Sequence, residues 1–153
     1  MDANHVNPFI EAFFNVMPQI GFTNIEKKGV ILNKEIKSKG VIINLGIVGD
    51  AKGNVVYITD IESGKKIASK MMMGMPVNEL DDMAQSALSE LTNMLTANAS
   101  INLSEIGVNV NISTPTLLYG EDIQIKMNVD KILCIQLTVD DIPIDVNIAL
   151  QNL

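Results

Sequence analysis

The stretch NELDDMAQSALSELTNMLTA, residues 78–97, carries the clearest periodicity in the chain. Leu80, Met83, Ala84, Ala87, Leu88, Leu91, Met94 and Leu95 recur at spacings of three and four, so a helix over 78–97 gathers them into one apolar stripe. Asn78 stands where an N-cap is wanted, and Glu79, Asp81 and Asp82 bring negative charge to the positive end of the helix dipole. A stripe of this kind is stable only when it lies against other structure. The flanking segments supply it.

Upstream, residues 24–60 read as a β-meander: GVILNKEI, a turn at Lys37-Ser38-Lys39-Gly40, VIINLGIVGD, a turn at Ala51-Lys52-Gly53, then NVVYITD. Residues 62–74 predict a short helix with Ile67, Met71 and Met75 toward the core. The run Met71-Met72-Met73 suits an adaptable core filler better than a soft metal site or a promiscuous groove. Residues 7–20 predict a first helix, capped by Asn7, with Pro8 at its first position and Phe9, Ile10, Phe13, Phe14 and Met17 at helical spacing. Downstream, Gly107 closes a turn, residues 108–113 alternate as a strand, and STPTLLYG (113–120) forms a loop or edge. Three strands end the chain: DIQIKMNV, KILCIQLTVD and PIDVNIAL, the last with Ile144, Val146, Ile148 and Leu150 on one face.

The order of elements implies an α+β fold. An antiparallel sheet has helices packed on one side, with a degenerate internal twofold repeat of helix plus strands, in a single domain over residues 1–153. Apolar residues make up 47% of the chain and aromatics 4%, so the core is expected to be aliphatic and methionine-rich.

Charge narrows the function. The formal net charge is -7 and the basic residues are all Lys. No basic stripe is present to displace nucleic-acid counterions, so no nucleic-acid partner is expected. Without Arg a bidentate phosphate clamp is not expected either. Cys134 lies in an apolar strand run and reads as a small buried hydrophobe. His5, the one histidine, lies in a polar N-terminal segment with no ligand spacing. MDANHVNPF has neither the basic nor the apolar region of a signal peptide, and no apolar run has membrane-span length. A cytoplasmic protein with no membrane association is therefore expected.

The motifs of serine hydrolases, zinc proteases, nucleotide-binding loops and dinucleotide folds are missing. The remaining chemistry lies on the polar side of the 78–97 helix. At about 100° per residue, Ser86, Glu90 and Asn93 fall within a sector roughly 60° wide. A carboxylate and a carboxamide thus project side by side. On its own this pattern reads as a solvated helix face, although Asn is a poor choice for a helix interior.

The segment SALSELTNML, residues 86–95, resembles the [DS]-x-x-x-E-x-x-N signature of the CheC/CheX/FliY phosphatases. GNVVYITD, the helix ending in MMMGMP, the continuation through Asn98, and STPTLLYG are similar to the segments that surround that signature, in CheX especially. CheC proteins carry two signature helices and CheX proteins one. Here Glu11 and Asn15 of the first helix are four apart, without the upstream residue, and read as a solvated face.

The resemblance implies a CheC-like sandwich and a phosphatase acting on a phosphorylated, CheY-like response regulator. Asn93 would position the attacking water and Glu90 would pair with the regulator's lysine. Ser86, Ser89 and Ala97 would let the partner approach closely, with Ser86 in a positioning role at most. It also implies no cofactor of the chain's own, Mg²⁺ supplied by the regulator, and a homodimer. Two other readings remain open here. One is a non-catalytic adaptor of chemotaxis or flagellar switch signalling. The other is a small-molecule hydrolase, for which no nucleophile or metal set is evident.

Overall fold

The structure is a computed structural model, and it describes residues 3–38, 40–127, 129 and 131–151. The elements are α1 (Ala3–Ile20), β1 (Ile25–Asn33), β2 (Ile36–Ser38), β3 (Val41–Gly49), β4 (Lys52–Thr59), α2 (Ile61–Met71), α3 (Asp82–Glu105), β5 (Val110–Ile112), β6 (Thr116–Tyr119), β7 (Ile123–Ile125), β8 (Ile132–Val139) and β9 (Ile142–Gln151). The expected turn at Lys39 and the strand position Asn128 lie outside the described residues.

Among the described residues the main sheet has seven antiparallel strands in the order β1-β8-β9-β4-β3-β5, with β6 pairing β3 beside β5. The β3–β4 and β8–β9 hairpins meet back to back at β4/β9, the arrangement a degenerate twofold repeat requires. The meander expected over 24–60 holds only for β3 and β4. β1 instead pairs β8, with Val30 opposite Ile135, at the far edge of the sheet. Local periodicity identifies a strand but cannot name a partner that is a hundred residues away.

All three helices lie on one face. Ile43, Leu45, Val55, Tyr57, Ile135, Val146 and Ile148 from the sheet bury with Phe9, Phe13, Met17, Ile67, Leu88, Leu91 and Leu95 from the helices. The other face was not foreseen. There Ile42, Val56, Ile132 and Ala149 pack under a two-stranded ribbon of β2 and β7, through Ile36, Ile123 and Ile125.

Helix boundaries moved. The third helix starts at Asp82, because Asp81 rather than Asn78 is the N-cap; its carboxylate accepts from the Ala84 N–H at 2.9 Å. It runs on to Glu105 because Ala99, Asn102 and Leu103 are buried against the core, and tertiary burial outweighs the poor propensity of NASINLSE. Gly107, at φ 85°, follows the Ile106 cap and so ends this helix, where a separate turn after it was expected. The first helix begins at Ala3, so Asn7 and Pro8 lie inside it instead of being its N-cap and first position, and His5 is helical, not part of a tail; Val6, at 7% exposure, explains the extra turn. Of the residues assigned to the core, Met75 and Met83 are instead exposed, while Ile67 is buried and Met71 packs at its edge. Cys134 is buried and free, and burial pushes its thiol up to about 12.

Candidate functional site

Asn93 and Glu90 sit near the middle of α3, whose rotation about its own axis decides where they point. The opposite face of α3 fixes that rotation. Ala84, Leu88, Leu91, Leu95 and Ala99 lie in the core, and Leu95 and Ala84 have no exposed surface. One buried polar contact adds register. The Thr96 hydroxyl donates to the Thr92 carbonyl at 2.7 Å, which leaves its oxygen to accept from the Tyr57 hydroxyl of β4 at 2.8 Å. Both residues are buried. A second tie holds α3 to α1: Asn98 Oδ1 accepts from Asn15 Nδ2 and Asn102 Nδ2, and Asn102 Nδ2 also donates to the Pro8 carbonyl. Asn15 is thus exposed, as expected, but also bridges the two helices; Glu11 is exposed as expected.

With α3 set this way, Glu90 is exposed and Asn93 half-buried. Among the described residues, neither side chain is engaged in an intramolecular hydrogen bond or ion pair. Both line an open cleft with Asp82, Gln85, Ser86, Ser89, Thr114 and Pro115. Ser86 is exposed at its floor and Ser89 half-buried; the Ser89 carbonyl accepts from the Thr92 hydroxyl at 2.9 Å. Ala97, one turn beyond Asn93, is half-buried and does not line the cleft.

The sequence read the cleft's second wall as a loop or edge, similar to a segment near the family signature, without placing it against the helix. It comes from a break between β5 and β6, which pair successive parts of one edge of β3. At the break the Ser113 hydroxyl accepts from the Gly46 N–H at 2.7 Å, and the Ser113 N–H donates to the Gly46 carbonyl at 2.9 Å. A Cβ on Gly46 would stand 3.2 Å from that hydroxyl oxygen, so glycine lets the loop seat closely. Thr114 and Pro115 are thereby held facing α3 as a fixed wall.

The cleft offers two amides, two carboxylates and three hydroxyls, and no cation. Such a surface complements a partner that carries its own positive charge. Among the described residues, no group of three or more His, Cys, Asp or Glu side chains converges as a metal site would need. No helix is long and apolar enough to cross a membrane.

Comparison with known proteins gives the family and the fold. The family described as chemotaxis phosphatase CheX matches residues 41–138, which include β3, β4, α2, α3 and the 113–120 segment. The CheY-P phosphatase CheX of Thermotoga maritima is 34% identical over 130 residues, 82% of each protein. A CheC-like superfamily protein from Shewanella sp. PV-4 superposes with a TM-score of 0.86 at 23% identity, over 99% of both chains. The CheX–CheY–BeF3–Mg²⁺ complex of Borrelia burgdorferi contains a chain that superposes with a TM-score of 0.82 at 27% identity, over 96% of this chain and 97% of that one.

Proposed function

Because the chain belongs to the chemotaxis phosphatase CheX family, we propose that it removes the phosphoryl group from an aspartyl-phosphate response regulator resembling CheY. The single observation that carries the reading is the pair Glu90 and Asn93. They stand one turn apart on a rigid helix, open to a partner and held by no hydrogen bond or ion pair among the described residues.

An aspartyl phosphate is an activated acyl phosphate, so its hydrolysis needs chiefly a placed water and charge stabilisation. Asn93 inserts its carboxamide into the regulator's site and hydrogen-bonds the water in line with phosphorus. The water oxygen bonds to phosphorus, the bond from phosphorus to the aspartate oxygen breaks, the aspartate leaves as a carboxylate, and the water's protons remain on the inorganic phosphate as dihydrogen phosphate. An amide suits the task because it both donates and accepts yet adds no negative charge beside the phosphoryl group. Glu90 pairs with the regulator's lysine and fixes the docking register. Ser86 and Ser89 keep the approach close within the cleft, and Ala97, outside it and one turn beyond Asn93, leaves room for the partner there. The Mg²⁺ belongs to the regulator, which the composition of the Borrelia complex supports.

We place the protein in the cytoplasm as one domain and expect a homodimer. β1 is an edge strand with Val30, Ile31 and Leu32 all exposed, which supports pairing through the sheet.

The test is the decay of a phosphorylated response regulator with and without the protein. Faster decay is expected. Asn93→Ala should lower kcat by about 100-fold, the scale of losing a positioned reactant, with the thermal midpoint unchanged. Unchanged or slowed decay with the wild type would favour a non-catalytic adaptor.

A further inference from the structure

The face of α3 that carries Glu90 and Asn93 continues upstream. Met83, expected in the core stripe, is 62% exposed. It precedes Glu90 by seven residues, so it lies roughly 20° from Glu90 around the helix and about 10 Å along it. Ser86, a small residue, lies between them. A lone exposed methionine needs no explanation. This one is in line with the candidate site, and the core side of the helix is filled without it by Ala84, Leu88 and Leu91.

The charges beside it point to the same kind of partner. Asp82 and Glu90 are the charged residues of the cleft, both are carboxylates, and neither is in an ion pair among the described residues. The surface therefore complements one that carries basic groups and an apolar side chain. Methionine is enriched at interfaces and adapts its shape to what it meets.

We propose that Met83 is the apolar anchor of the docking surface for the phosphorylated response regulator, which meets it with an apolar side chain about 10 Å from the lysine that Glu90 receives. This rests on the function proposed above. Asp82, next to Met83, steers the basic side of the partner into the cleft.

The experiment measures initial rates against the concentration of phosphorylated regulator for wild type, Asn93→Ala, Met83→Ala and Met83→Leu, together with their thermal midpoints. Met83→Ala is expected to raise KM about fivefold, the scale of a modest interface anchor. The rate at saturation should fall far less than KM rises, and the thermal midpoint should stay in place. Met83→Leu should return KM close to wild type. An active wild type with Met83→Ala at the same KM would overturn the anchor and leave the phosphatase reading standing. A thermal midpoint that drops in Met83→Ala would make the side chain a packing residue and overturn the anchor too. An inactive wild type would bring down both.

Discussion

Glu90 and Asn93 are neighbours on one helix turn with separable duties, and their substitutions should separate in kinetics. Glu90→Ala is expected to raise KM for the phosphorylated regulator by about tenfold, the cost of losing one charge-assisted contact at a docked surface. The urea midpoint should stay unchanged, because the side chain is exposed and unbonded. Unfolding of the variant would make Glu90 structural. Spacing puts these two residues on one helix face, and an Asn inside a helix is against propensity, but that pattern alone reads as a solvated face; the likeness of residues 86–95 to a family signature is what picked them out. Thr114 and Pro115 could not be assigned to the site in that way. They follow Asn93 by 21 and 22 residues, beyond the end of the helix at Glu105, and only the seating of Ser113 on Gly46 brings them across from it.

The elements that aim the site are α3 and the strand beneath it. Tyr57→Phe removes the donor to Thr96 but keeps the buried ring, so it should cost about 1 kcal/mol, measured by urea unfolding. The short helix α2 rests on its N-cap. Burial would raise the Asp60 carboxyl, but the hydrogen bonds it accepts from the Ser63 N–H and hydroxyl outweigh this and hold it below its ordinary value of 3.8. A depressed carboxyl contributes stability above its unfolded value and loses it as pH falls through the folded one. Asp60→Ala should therefore cost about 1 kcal/mol at neutral pH, and the gap from wild type should close as the pH drops below 3.8. A gap that stays constant into acid would show that the charged cap is not its source. Helix existence was readable from apolar spacing. Helix ends were not, because Asn78 and Asp81 are both competent caps and only the seating of Leu80 and Ala84 in the core selects the second.

Over the whole molecule, the sheet leaves β1 open at one edge. Ile31, at 44% exposure, and Leu32, at 62%, are where a second copy would add. A double substitution Ile31→Lys, Leu32→Lys is expected to shift the protein to a monomer in analytical ultracentrifugation while leaving the thermal midpoint within a few degrees. A dimer that persists would place the interface elsewhere. By itself the sequence determined the α+β class, the strand and helix content, the outward amide–carboxylate pair, and a family resemblance that the comparisons bear out. All but the resemblance are properties of local spacing and residue type, which three to eight neighbouring residues encode; the resemblance rests on several such segments in order along residues 53–120. The tertiary structure alone decided that β1 pairs β8, that a β2–β7 ribbon covers the second face, that Met83 leaves the core for the surface, and that Thr114–Pro115 closes the cleft. Those outcomes depend on contacts between segments far apart in sequence. The packing of the whole chain selects among partners that look equally acceptable to any one segment.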